Sequence, residues 1–153
     1  MNGLKKNAVL SLTVLMLCAA CAGGPQFTEA QGKEWKLVEI RTSPENIIFD
    51  RSTLVSDGFG DIFTLKFDGG RVQGMAAPNR YFAPYTQGKS QSLTIDRIAG
   101  TLMAPIREPE KVKEHDYFVY LQNTYRWNIN NKNLELYTKS EDGREAVLVF
   151  TAG

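Results

Sequence analysis

Between Trp35 and Phe150, apolar and polar residues alternate along most of the chain, the period of strands that bury one face. The opening run EWKLVEI, Glu34 to Ile40, suits a first strand. DIFTLKF then sets Phe63, Leu65 and Phe67 on one face, and Asp68-Gly69-Gly70 supplies positive-φ positions for a tight turn into RVQGM, so this pair predicts a β-hairpin. Near the end, TYRWNI alternates Tyr125, Trp127 and Ile129, NNKN turns the chain, LELY returns, and Asp142-Gly143 turns it once more into AVLVF. Those three strands predict a meander.

Other stretches break the two-residue period. REPEKVKEHDYFVYLQN has Pro109 where a first helical turn tolerates it, acidic residues early, and Val112, Phe118, Val119 and Leu121 at helical spacing. It predicts one short amphipathic helix. AAPNRYFAPY, Ala76 to Tyr85, places three aromatics and an Asn between two prolines; proline cannot donate to a ladder, and the aromatics are too apolar for a solvated loop, so it reads as a loop that packs. In RTSPENIIFDRSTLVSDGFG, NIIFD reads as a short strand and SDGFG as a flexible loop, and the course between them stays open. Strands, then a helix, then a meander predict an α+β domain: a mostly antiparallel, strongly curved sheet or incomplete β-barrel with one short helix covering it.

The first twenty residues change the picture of where this domain works. Lys5 and Lys6 precede an uncharged apolar run from Ala8 to Ala20, the pattern of a secretory signal too short to span a bilayer comfortably. LCAAC at Leu17 to Cys21 resembles the bacterial lipobox, with cleavage after Ala20 and acylation, by palmitate or a similar chain, at Cys21. The alternatives are a plain secretory cut near Ala20 or Ala22, or an uncleaved anchor. Residues 1–20 are therefore expected as a lipoprotein signal peptide, residues 21–34 as a flexible tether and residues 35–151 as the folded domain. The tether segment AGGPQFTEAQGKE, if fully extended, would reach about 45 Å.

With Cys18 lost in the leader and Cys21 acylated, the mature chain would keep no free thiol, which excludes cysteine catalysis and thiolate metal sites. The precursor carries 18 basic and 17 acidic side chains, and Lys5 and Lys6 leave with the leader, so the mature balance is close to neutral and its cations are scattered. Nucleic acid is not an expected partner. No Asp follows Cys21, and the expected location is the outer membrane, lipid-anchored on its periplasmic side, as a monomer.

FTLKFDGGRVQG, PNRYFAPY, LTI, AGTLMAP, a helix with DYFVYL and YRWNINNKNLELYTKSEDGREAVLVF, following Trp35, resemble in this order the META domain of HslJ-type heat-inducible bacterial lipoproteins. The most specific pieces are Asn79, Tyr81 and Tyr85, with Thr101, Met103 and Ala104 of TLMA. That family pattern usually has Cys before the Asn and after the MA; here those positions are Pro78 and Pro105, so what looks like a cysteine pair is absent together. Rigid prolines can restrict the loop where a cross-link otherwise would. The resemblance implies a small β-rich domain with a helix, similar in fold to outer-membrane secretin pilot lipoproteins, with a role in envelope stress tolerance or secretion; it establishes no enzymatic activity, and the chain is not expected to be an enzyme.

Candidate chemistry is sparse. His115, the sole histidine, lies among helix charges and reads as an exposed residue, not a catalytic one; no G-x-S-x-G occurs, and Ser90 and Ser92 flank no base. Asp57 and Asp61 in DGFGD lack the further acids of a calcium loop and read as a turn, so no metal and no cofactor are expected. The better candidate is a surface. Tyr81, Phe82 and Tyr85, with Arg80 at the rim and Tyr117 and Tyr120 from the helix, form either a groove for an apolar ligand or protein segment, or the closing end of the core. Pro78, Asn79, Pro84, Thr101 and Met103 are expected to structure that loop. Two functions follow: an envelope lipoprotein that binds another envelope or secretion protein through an aromatic groove, or a carrier of lipid or another small hydrophobic ligand in a closed cavity.

Overall fold

The computed structural model describes residues 25–153. The strands are β1 (Trp35–Arg41), β2 (Ile47–Ile48), β3 (Thr64–Asp68), β4 (Arg71–Met75), β5 (Arg80–Gln87), β6 (Leu93–Ile95), β7 (Ala99–Gly100), β8 (Arg126–Asn130), β9 (Asn133–Lys139) and β10 (Glu145–Ala152). Two α-helices, α1 (Arg51–Ser56) and α2 (Glu114–Gln122), and a 3-10 turn at Phe27–Glu29 complete the described chain. The strands form one antiparallel sheet in the order β6-β5-β4-β3-β1-β10-β9-β8, with β2 on β1 and β7 on β5. Its two end strands meet at a bridge between Ser92 and Arg126, where Leu93 N donates to Tyr125 O (3.1 Å) and Trp127 N to Gln91 O (3.0 Å). The sheet is thus nearly a barrel, with one seam only partly sewn.

Local chemistry explains the turns. Gly69 and Gly70 both take positive φ in the β3–β4 hairpin, the geometry whose twist matches the flanking strands. Asn131 and Lys132 do the same between β8 and β9, completing the anticipated meander with β10. At Gly74 the backbone comes so close to β3 that a Cβ would stand 2.0 Å from the Thr64 carbonyl, so only glycine fits.

The expected packing loop at Ala76–Tyr85 is instead mostly β5, despite Pro84. The Pro84 carbonyl accepts from Asp96 N (2.9 Å), so its nitrogen faces the same side, where β7 pairs with Tyr81–Phe82, β6 pairs with Tyr85–Gln87, and neither pairs with Pro84. No ladder donor is lost there. The helix also starts later than expected: residues 107–113 are irregular, and α2 begins at Glu114, where Lys113 N donates to Asp116 Oδ2 (3.1 Å). Before the expected flexible loop stands α1, capped by Asp50, whose carboxylate accepts from Ser52 N (2.9 Å) and Thr53 N (3.4 Å).

Packing also shortens the expected tether. Phe27 is 3% exposed, its ring 5.0 Å from Phe67, 5.0 Å from Trp127 and 5.4 Å from Tyr85, while Trp35 Nε1 donates to Ala30 O (2.8 Å). The 3-10 turn plugs one end of the barrel. At the other, α2 sinks Tyr117 and Leu121 into the core among Phe63, Leu65 and Tyr81. The expected signal peptide, the expected acylation site Cys21 and the start of the expected tether lie outside the described residues.

On the outer face of the meander, buried Glu135 accepts from Arg41 Nη1 (2.8 Å), Tyr137 Oη (3.1 Å), Asn130 Nδ2 (3.3 Å) and Asn128 Nδ2 (3.4 Å). Burial pushes its carboxyl up, but Arg41 and the three neutral donors together pull it below the usual glutamate range. Its stabilisation is therefore present above the ordinary glutamate value of 4.5 and is lost as pH falls through the lower folded value. Glu135→Gln is expected to lower stability at neutral pH and to flatten the acid limb of urea-unfolding midpoint against pH. Phe27→Ala, which opens a cavity at the barrel end, is expected to cost about 3–5 kcal/mol in the same assay.

Candidate functional site

The six residues proposed for one aromatic surface are dispersed by the fold. Strand alternation turns Tyr81 inward and Phe82 outward. Tyr81 and Tyr117 are fully buried: both hydroxyls donate to the Thr64 carbonyl (2.9 and 3.2 Å) and lie 3.3 Å from each other. Burial pushes both phenols well above their ordinary value, so they stay protonated and serve as donors. Tyr85 sits at the far end of β5 against Phe27 and Phe67, accepting from Gln31 Nε2 (2.9 Å). Tyr120 faces a separate groove with Asp142 and Arg144. Only Arg80 and Phe82 reach the outer face together. Tyr81 and Tyr117 close the core.

That outer face carries a groove of about 700 Å³ on β3, β4 and β5. Ladder register builds its floor, because Lys66 pairs with Gln73 and Gln73 with Phe82, one outward row across three strands. Phe82 is 48% exposed, and the Arg71 guanidinium lies 5.7 Å from its ring centre. Lys66, Arg71 and Arg80 outnumber the acids Glu34 and Asp61 along this groove, and Arg71 and Arg80 enter no ion pair among the described residues.

Sequence reasoning missed how far this surface continues. Met75 and Asp61 also line a second groove of about 520 Å³ bordered by Met103, Pro105 and Ile106, which in turn shares Asp57, Phe59 and Arg107 with a third of about 550 Å³ reaching Ile48. The irregular segment after β7 forms a wall along the second and third. Leu102 and Ile106 are fully exposed and Met103 is half exposed, an apolar ridge without the polar alternation of a strand. The available signal was TLMAPI itself, three large apolar residues with no periodicity to bury them.

A saturated polar knot holds the ridge in place. Asn79, only 4% exposed, accepts at Oδ1 from Thr101 Oγ1 (2.7 Å) and Met103 N (2.8 Å), and donates from Nδ2 to Met103 O (3.1 Å) and Glu114 Oε1 (2.8 Å). All four valences of the amide are used. Glu114 also accepts from Asn79 N (2.9 Å) and Ala77 N (3.2 Å), so α2, the β4–β5 turn and the ridge are tied at one point. Thr101 accepts from Arg80 N (3.2 Å), and Pro78 and Pro105 both border the second groove beside this knot. Pro84, the fifth residue expected to structure the loop, is the proline tolerated within β5.

The residues considered for catalytic and metal chemistry are not brought together in this way. His115 is exposed on α2, and Asp57 and Asp61 stand on the turn after α1. Among the described residues no group of three or more His, Cys, Asp or Glu could hold a metal ion. Asn79→Asp, nearly isosteric, replaces two donors by acceptors facing Met103 O and the Glu114 carboxylate. We expect it to cost roughly 2–4 kcal/mol in urea unfolding and to speed proteolytic cleavage within residues 101–111.

The family model of the META domain matches residues 28–152. None of the curated proteins matches the sequence. The fold is similar to the NMR structure of a protein from Burkholderia xenovorans, with TM-score 0.61 and 16% identity over 100% of this chain and 98% of that one. It is also similar to the crystal structure of a DUF4847 family protein from Bacteroides vulgatus, with TM-score 0.53 and 14% identity over 82% of this chain and 95% of that one. At such identities the likeness is one of fold. The META family is not a known enzyme family. The family match begins one residue after Phe27, the plug of the barrel, and ends in β10, so the chain belongs to the META domain family.

Proposed function

We propose that this chain is a non-enzymatic envelope lipoprotein, anchored by Cys21 to the outer membrane on its periplasmic side, whose META domain binds an extended segment of another envelope protein in support of stress tolerance or secretion. The observation that carries the binding reading is the run of three joined grooves flanked by exposed Phe82, Met103, Leu102 and Ile106. Contiguous exposed apolar surface beside polar rims is the usual mark of a docking site. The aromatic groove of the sequence reading is replaced by this mixed channel on the outside of the sheet.

Charge gives the partner a direction. Over β3–β5 the channel is rimmed by Lys66, Arg71 and Arg80, whereas Asp57, Asp61 and Glu110 stand along the other two grooves without an ion pair among the described residues. A matching segment has apolar side chains in its middle, carboxylates toward β5 and cations toward α1. The carrier reading is less well supported, because the barrel interior is filled by side chains such as Phe27, Trp35, Phe67, Tyr117 and Phe150.

Photo-cross-linkers placed at Phe82 and Ile106 in the intact envelope are expected to give one and the same discrete protein adduct, whereas a cross-linker at Lys132 on the β8–β9 turn gives none. Arg71→Glu with Arg80→Glu is expected to lower the adduct yield about tenfold, as reversal of rim charges slows association. Adducts unaffected by charge reversal, or equal at Lys132, would refute this docking face.

A further inference from the structure

The link between the anchor and the packed domain is short, and it attaches at one defined end of the barrel. Phe27 is wedged among Phe67, Tyr85 and Trp127, so the chain is held to the domain from that residue onward. Five residues lie between Cys21 and Phe27, so the six residue steps span at most about 20 Å even when fully extended. The end of the barrel nearest Phe27 carries the Gly69-Gly70 turn and the turn from Gly88 to Ser92, since Gly32 N donates to Phe67 O (2.9 Å) and Tyr85 N to Gly70 O (3.2 Å).

The apolar ridge sits at the opposite end. Strand β5 connects the two places: Tyr85 packs on Phe27, while Asn79, just before the strand, holds Met103. Six residues of extended chain put roughly 20 Å between them. The surroundings of the ridge also disfavour a bilayer. Five carboxylates, of Asp50, Asp57, Asp61, Glu108 and Glu110, line the grooves beside it against two cations, Arg107 and Lys111, which donate to the backbone carbonyls of Asp57 and Ile48 and keep their charge. That surplus of negative charge is repelled by anionic headgroups, so laying this face on the membrane would oppose the gain from burying Leu102 and Ile106.

Resting on the anchoring at Cys21 proposed above, we infer that the short link holds the Phe27 end of the barrel toward the bilayer and presents Leu102, Met103 and Ile106 to the aqueous side. The ridge is thereby reserved for a protein segment, and the link works as an orienting device, not as a long reach.

The mature chain would contain no cysteine besides Cys21, so single reporters can be introduced cleanly. The full chain is produced lipidated with Lys89→Cys or with Leu102→Cys, labelled with an environment-sensitive fluorophore, and placed in vesicles of phosphatidylethanolamine and phosphatidylglycerol that contain a nitroxide headgroup lipid. Quenching is expected to be several-fold stronger at position 89 than at 102. Inserting a Gly/Ser run of about twenty residues after Gly24 is expected to erase the difference, because a coil of that length no longer fixes which end faces the membrane. Equal quenching at the two positions in an acylated protein overturns the orientation alone, and stronger quenching at 102 overturns it and makes the bilayer the occupant of the ridge. An intact mass without acyl chains overturns the anchoring, and the orientation with it.

Discussion

The Thr64 carbonyl is the point on which the architecture closes. It is buried beside Gly74 and accepts the hydroxyls of both Tyr81 and Tyr117. A buried carbonyl left without donors costs free energy on the scale of a whole hydrogen bond. Satisfying it from inside joins β3, β5 and α2 through two phenols that burial keeps protonated. The same residue reaches outward through its hydroxyl, which accepts from Met75 N (3.1 Å). Thus the position that closes the core also sets the backbone of β4 next to the outer groove.

From that junction the rest of the surface follows. Once α2 is docked through Tyr117, Glu114 at its first turn stands where it can accept from Ala77 N, Asn79 N and Asn79 Nδ2. Asn79 then spends its remaining capacity on Thr101 and Met103. The segment beyond β7 is fixed at its start without secondary structure of its own: Thr101 N donates to Arg80 O (3.0 Å), and the Asn79 amide satisfies both main-chain groups of Met103. Freed from strand alternation, it exposes Leu102, Met103 and Ile106 together, whereas a ladder would have set Met103 on the face opposite Leu102 and Ile106.

Much of this was legible in the sequence where local chemistry and global fold agree. The Gly69-Gly70 hairpin and the β8–β9–β10 meander follow from period-two alternation and turn residues, and they stand as read. Strand β5 was illegible because the tolerance for Pro84 depends on a gap between β6 and β7, a non-local fact. Phe27 sits in a Gly/Pro/polar stretch that resembles a linker, and only the aromatic socket at the barrel end reveals its burial. Asn79 and Glu114 were further apart still: Asn79 was recognised as loop-structuring, but its partner lies 35 residues away. The asymmetry has one cause. Periodicity reports on a residue's neighbours along an element, and the candidate site is built from contacts between elements.

Strand alternation also separates what the fold requires from what a partner can read. Inward positions such as Val72, Ala83 and Phe67 are paired across strands in the core, where volume and shape are constrained. The outward row of Lys66, Gln73 and Phe82 shares the same backbone register but carries no such packing demand, so its chemistry can vary without cost to closure of the barrel. The similar folds found at 14–16% identity fit that division, since a barrel can persist while most side chains change. The grooves of this chain are therefore to be understood from its own outward residues, and their charge and apolar pattern, not the barrel, sets what they accept.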